Sequence, residues 1–124
     1  MQINPGEIYW LLDEGGQRDR PIIIVSREKL NRGDYVVAIP TTTRKFDRRS
    51  KLSSCVPFKA GECGFDHDCV AQAEMIGVYE KWELDLRGGI IATLDTHKMR
   101  DVQKAIGYVI AAELEPEEDS GAQS

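Results

Sequence analysis

From Ile22 to Val25 the chain carries four consecutive β-branched residues, and this run constrains the fold more than any other stretch. Two heavy atoms on Cβ restrict the rotamers and favour extended backbone, and no polar residue alternates with the apolar ones. Such a strand needs protein on both faces, which places it at the centre of a sheet. The approach to it, Arg18-Asp19-Arg20-Pro21, is charged and turn-prone. Proline has no backbone N–H to offer a ladder and belongs at a strand's start, so Pro21 marks the point where loop becomes sheet. Arg20 then stands at a rigid strand mouth, held by the sheet and free to point toward solvent, as a binding or catalytic cation must be. The competing reading is a surface ion pair with Asp19 or Glu14.

The neighbouring segments supply the rest of a sheet. Pro5-Gly6 turns the chain into the apolar and aromatic run Glu7 to Leu12, and Gly15-Gly16 reverses it, so this strand and the central one form an antiparallel hairpin whose loop, 13–19, lies beside Arg20. Ser26 can cap one helical turn that Gly33 ends. Residues 34–39 read as a third strand, with Pro40 stopping its ladder just before the hydroxyl triplet Thr41-Thr42-Thr43. Residues 53–58 and 69–76 read as two more strands around the Gly-rich connection 61–68. The stretch 78–86 fits either a strand or a short helical turn, and 88–94 reads as a last strand. From Asp95, an N-cap residue, the period changes: Met99, Val102, Ala105, Ile106, Val109 and Ile110 share one face of a helix that should run to Glu113 and pack on the sheet. Short strands at close spacing with one terminal helix predict a mainly β fold, a small and strongly bent antiparallel barrel rather than a βαβ layer.

A chain of 124 residues accommodates one core, here placed in residues 1–112, with 113–124 read as an acidic, disordered tail. No apolar run is long enough to span a bilayer and the first residues lack signal-peptide character, so the expected location is cytoplasmic, with no membrane partner. Three cysteines, an odd count, fit reduced thiols better than a disulfide framework. The net charge of −5 argues at first against a nucleic-acid partner, whose affinity rests on neutralising phosphates. Yet Glu113, Glu115, Glu117, Glu118 and Asp119 hold five of the 21 acidic residues, which leaves 16 against 16 basic ones in the body. Within that neutral body Arg44, Lys45, Arg48, Arg49 and Lys51 form a basic loop opposed only by Asp47.

Four features occur in order: Gly6-Glu7-Ile8-Tyr9-Trp10, Arg20-Pro21 before an aliphatic strand, Pro40-Thr41-Thr42-Thr43, and Gly64-Phe65 leading to a strand with Glu74. In this order and with a final helix the chain, over residues 4 to 112, resembles the PemK/MazF toxins, ribosome-independent endoribonucleases (mRNA interferases) of type II toxin–antitoxin pairs. The resemblance implies an SH3-like β-barrel of the CcdB/PemK kind with a C-terminal helix. It matches Arg20 to the family's catalytic arginine, Thr42 to its threonine and Glu74 to an acidic residue proposed as a base. It implies cleavage of single-stranded mRNA through its own 2′-hydroxyl, which needs charge stabilised on phosphate and two proton transfers but no metal or other cofactor. A homodimer, a cognate acidic antitoxin that lies along its groove, and DNA contact by the toxin–antitoxin complex belong to the same implication.

Two departures from the family pattern bear on activity. Gln72 stands where some members have an arginine, and glutamine cannot donate a proton to a leaving group. The segment between the first two strands is short and lacks the usual Gly-Ser-Glu-Gln, so the RNA sequence preference does not carry over. Contacts to substrate are assigned to Thr41, Thr43, Arg44, Arg48, Arg49, Phe65 and Gln72, with Phe46 as a further stacking residue, because single strands are gripped by backbone contacts and base stacking. Cys63, His67 and Cys69, with Cys55 upstream, are residue types that bind zinc, but Cys-x3-His-x-Cys is not a paired knuckle and no site is expected. A nucleophilic Cys–His pair is also disfavoured, since His67 lies in a turn between Asp66 and Asp68. The alternative function is a non-catalytic CcdB-like barrel that inhibits a protein such as DNA gyrase.

Overall fold

Strand β1 (Glu7–Leu12) and strand β2 (Arg18–Ile24) form the expected hairpin, with Ile8 opposite Ile23 and Leu11 opposite Arg20. The computed structural model describes residues 1–112; the tail read at 113–124 lies outside the described residues. Asp13 closes the hairpin turn, its Oδ1 accepting from the Gly15 and Gln17 amides at 2.9 Å each. Strand β3 (Tyr35–Thr42) pairs antiparallel with β2 from Ala38 to Pro40, which makes β2 an interior strand. Ile22, Ile23 and Ile24 are all fully buried, as an unbroken apolar run requires.

The remaining elements extend and curl this sheet. A four-residue helix α1 (Phe46–Arg49) follows β3, then β4 (Cys55–Phe58), β5 (Cys69–Gln72), β6 (Gly77–Glu80), the two-residue β7 (Ala92–Thr93) and helix α2 (Thr96–Val109). The strands pair in the order β4-β5-β3-β2-β1-β7, and β6 adds to β3. Strand β3 is shared: its first half pairs with β6 and its end, Thr41 and Thr42, with β5. That exchange of partners bends the antiparallel sheet into a barrel-like curl, so apolar side chains on opposite faces of β1 to β3 enter two clusters. One holds Ile8, Ile23, Ile39, Val56, Phe58 and Val102, the other Ile3, Tyr9, Ile22, Ile24, Val36 and Leu84.

Helix α2 closes the first cluster. Asp95 caps it as expected, accepting from the Lys98 amide at 2.7 Å. Val102 and Ala105 are buried, and Met99, Ile106 and Val109 pack partly against the same cluster. Burying a valine of this kind contributes about 2 kcal/mol. Lys98 adds a polar anchor, its Nζ donating to the Pro57 carbonyl at 2.7 Å and lying 4.7 Å from the Phe58 ring centre.

Several expected boundaries are displaced for identifiable reasons. Pro21 lies inside β2, opposite Trp10, and Pro40 lies inside β3, opposite Ile22. Each proline is tolerated because it sits where the strand is changing neighbours: β2 first meets β3 at Ile22, and β6 leaves β3 at Ala38. Arg20 is therefore a strand residue and not the last residue of a loop. The expected helical turn forms at Leu30–Arg32 and Gly33 ends it, but Ser26 does not cap it; its hydroxyl joins Asn31 and the Val37 amide, while Asn31 Nδ2 donates to the Ile3 and Ser26 carbonyls, pinning the 26–37 connection to the N-terminal segment. The strand expected over 69–76 ends at Gln72, and Ala73–Met75 is a 3-10 turn that puts Glu74 outside the ladder. The ambiguous stretch divides into β6 and a 3-10 turn, Lys81–Glu83. Only Ala92 and Thr93 of the last expected strand are paired, and Ile110, placed on the buried helix face, is 62% exposed beyond the end of α2.

Candidate functional site

The site follows from the divergence of β2 and β3. Their ladder runs as far as Ile22 and Pro40; beyond it Arg18 to Pro21 stay with β1, whereas Thr41 and Thr42 turn to β5. Thr41 bridges the parting strands, its buried hydroxyl donating to the Pro21 carbonyl at 2.8 Å. A cavity of about 280 Å³ opens there, walled by Asp19, Arg20 and Pro21 on one side and Thr41 to Arg44 on the other. Its remaining walls are Trp10, the loop residues Gly64 to His67, Cys69 and Ile91.

Arg20 and Thr42 thus share one cavity although 22 positions separate them. The Arg20 Nε donates to Asp19 Oδ2 at 3.2 Å, the surface pair anticipated as the competing reading. This contact aligns the side chain and leaves the two terminal nitrogens without a hydrogen bond among the described residues. Thr42 Oγ1 accepts from the Arg44 amide at 3.2 Å, so its O–H remains able to donate outward. A forked cation and a neutral donor facing one concavity are suited to an anion with several oxygens, such as a phosphate diester.

Of the other candidates, Thr43, Arg44 and Phe65 also line the cavity, while Thr41 serves it structurally through Pro21. Phe65 is only 5% exposed and lies against Phe58 with ring centres 5.0 Å apart, so it forms a wall and not an open stacking platform. Arg48 and Arg49 stand on α1 beyond Arg44; Arg48 lines a shallow recess with Thr43 and Lys45, whereas Arg49 Nη1 donates to the Arg44 carbonyl at 3.5 Å. Phe46, on the same helix, is covered by Lys59, whose Nζ is 5.4 Å from the ring centre.

Glu74 and Gln72 form a separate pair. Gln72 Nε2 donates to Glu74 Oε2 at 3.1 Å, and the Cys55 thiol lies 3.8 Å from Glu74 Oε1. Neither residue is among those that line the cavity. The cysteines are free; burial raises the thiols of Cys55 and Cys63 above their usual range and pushes Cys69 up to about 12, which keeps all three protonated and poorly nucleophilic near neutral pH. Among the described residues no three His, Cys, Asp or Glu side chains gather as a metal ligand set, and no helix is long and apolar enough to cross a membrane.

Trp10, Asp66 and His67 line the cavity although the sequence assigned them no site role. Trp10 reads as an ordinary strand aromatic, but Arg18 stacks on its ring at 5.5 Å while paired with Asp85 at 3.0 Å, bracing the indole at the cavity rim. Asp66 and His67 arrive through the loop before β5, whose path depends on Gly64: φ is +76° there, and a Cβ would meet Ile91 Cγ2 at 2.8 Å. The Gly64-Phe65 pair was a local signal for that loop, whereas its meeting with Arg20 is a product of the curled sheet.

These features define a small helix-backed β-barrel protein with a cleft that carries arginine, threonine and aspartate side chains. The chain belongs to the family of PemK-like, MazF-like toxins of type II toxin–antitoxin systems, whose model matches residues 4–110. Among solved structures, a mycobacterial endoribonuclease in complex with its cognate antitoxin has a TM-score of 0.71 and 22% identity, covering 90% of this chain and 98% of that one. The Mycobacterium tuberculosis toxin MazF-mt6 gives 0.71 and 20%, covering 87% and 99%. A MazE-MazF structure from Deinococcus radiodurans gives 0.71 and 17%, covering 91% and 99%. No curated protein matches the chain by sequence.

Proposed function

We propose that residues 1–112 form the toxin of a type II toxin–antitoxin pair and that it is a metal-independent, sequence-selective endoribonuclease for single-stranded RNA. The observation that carries this reading is the convergence of Arg20 and Thr42 on one cavity at the point where β2 and β3 part. Family membership and the likeness to a mycobacterial endoribonuclease support it.

In the proposed reaction the 2′-oxygen of the RNA forms a bond to the adjacent phosphorus as the bond from phosphorus to the 5′-oxygen breaks. Negative charge grows on the non-bridging oxygens. Arg20 holds them through its free terminal nitrogens and Thr42 donates one further hydrogen bond, so stabilisation is greatest where charge is greatest. The products are a 2′,3′-cyclic phosphate and a 5′-hydroxyl. Trp10 and Arg44 at the rim, with Arg48 and Arg49 beyond, offer stacking and phosphate contacts to the flanking nucleotides.

Glu74, held by Gln72 away from the cavity lining, takes no proton in this scheme. Glu74→Gln should therefore escape the loss of about hundredfold or more that removal of a general base brings. Initial rates on one RNA oligonucleotide check this, and a loss of that size would return Glu74 to the mechanism.

A homodimer would set two clefts along one groove. Similar structures include toxins bound to antitoxins, and the basic segment 44–51 supplies the charge to attract an acidic inhibitory segment. Incubation with a long mRNA in EDTA tests the activity: discrete fragments are expected. Intact RNA across a varied panel would overturn it and leave the non-catalytic, gyrase-inhibiting reading.

A further inference from the structure

The endoribonuclease reading requires a proton for the departing 5′-oxygen, and the cavity lining narrows the source. Arg20 and Arg44 carry guanidinium groups, which do not release protons near neutrality. Asp19 and Asp66 carry carboxylates, which accept and do not donate when ionised. The thiol of Cys69 is buried and is pushed up to about 12, too weak an acid for the task. Thr41 has already committed its hydroxyl hydrogen to Pro21. The Thr42 and Thr43 hydroxyls are alcohols, far too weak as acids for the task. His67 remains, an exposed residue that lines the same cavity as Arg20 and Thr42.

His67 is also held in place. On its N-terminal side Phe65 is buried against Phe58; on its C-terminal side Asp68 accepts from the Ala60 amide at 2.8 Å and from Lys59 Nζ at 3.3 Å. The loop is thus anchored immediately before and after the dipeptide Asp66-His67, and the imidazole is presented by a braced segment.

We propose that His67 is the general acid of this cleft, giving its proton to the 5′-oxygen as the phosphorus–oxygen bond breaks. The inference rests on the endoribonuclease reading and adds to it a residue assigned from the geometry of this chain. The balance closes: the 2′-oxygen–phosphorus bond forms, the 2′-hydroxyl proton passes to a carboxylate of the cleft, and the leaving oxygen becomes a hydroxyl. Imidazolium becomes imidazole and is reprotonated by solvent. Histidine suits the role because imidazole is the side chain most often used to give and take protons in catalysis. The other charged residues that line the cavity with His67 are Asp19, Asp66, Arg20 and Arg44, and Asp68 next to it is paired with Lys59.

Two RNA oligonucleotides separate this role from a structural one, an ordinary RNA and the same RNA with sulfur replacing the bridging 5′-oxygen at the cut. Thiolate leaves without protonation. His67→Ala and His67→Asn should slow ordinary RNA by about hundredfold or more, cut the sulfur-bridged RNA at near the wild-type rate, and lose the alkaline fall in the pH–rate profile. Equal losses on both substrates, or no loss on either, would overturn the role while wild-type cleavage of ordinary RNA leaves the endoribonuclease reading standing. A wild-type protein that cuts neither removes both.

Discussion

Replacing Arg20 by alanine should lower RNA cleavage by about hundredfold or more while the protein stays folded. The side chain is 44% exposed and its hydrogen bond is a surface one to Asp19, so its loss removes little from the core. In the proposed reaction it removes the forked cation beside the place where phosphate charge would develop. Arg20→Lys should recover only a minor part of the rate, since a single ammonium replaces two parallel donors and lacks the planar fork that matches two phosphate oxygens. Thr42→Ala should cost roughly tenfold to a hundredfold, the value of one hydrogen bond to a charged group. Initial rates with matched circular-dichroism spectra check all three. An Arg20→Ala protein that cuts at the wild-type rate would place the reaction elsewhere.

Phe58→Ala should destabilise the protein by about 3–5 kcal/mol, a large share of the roughly 5–15 kcal/mol that holds a typical domain together. Phe58 is fully buried at the junction of β4, α2 and the loop before β5. Its ring meets Phe65 at 5.0 Å and lies under Lys98 Nζ at 4.7 Å, so truncation leaves a cavity and loosens both the helix and a wall of the cleft. Urea unfolding should show a lower midpoint with an unchanged slope. Cleavage should fall as well, below the melting range, because Phe65 is the anchor that positions Asp66 and His67. A midpoint equal to wild type would mean that the two rings do not carry the packing assigned to them.

The central strand and the terminal helix were legible because each is written in a local pattern. Four β-branched residues without polar alternation admit an interior strand, and a 3.6-residue stripe behind Asp95 admits one helix orientation. The prolines show where local reading stops. Pro21 and Pro40 do occupy edge-like positions, but those positions lie inside strands, at points where a strand exchanges one neighbour for another. Strand exchange depends on pairing between distant segments and has no signature in either segment alone. The same event creates the cleft, so Arg20, Thr42 and Arg44 were assigned to the site from their residues and family pattern, while Trp10, Asp66 and His67 were given no place in it. Glu74 was read as part of a strand because Cys69 to Ile76 is largely apolar. The ladder ends at Gln72, and the 3-10 turn after it carries Glu74 away from the cavity lining.

The central claim is that the RNA's own 2′-hydroxyl is the nucleophile and that Arg20 and Thr42 stabilise the charge it creates. A short RNA that the protein cuts once, compared in EDTA with the same oligonucleotide carrying a single 2′-deoxynucleotide immediately 5′ of the cut, tests it directly. The expected result is cleavage of the all-RNA strand to a 2′,3′-cyclic phosphate and a 5′-hydroxyl, visible by mass, and no cleavage of the deoxy-substituted strand at that bond. Cutting of the substituted strand at a similar rate, or a 5′-phosphate on the product, would contradict the account.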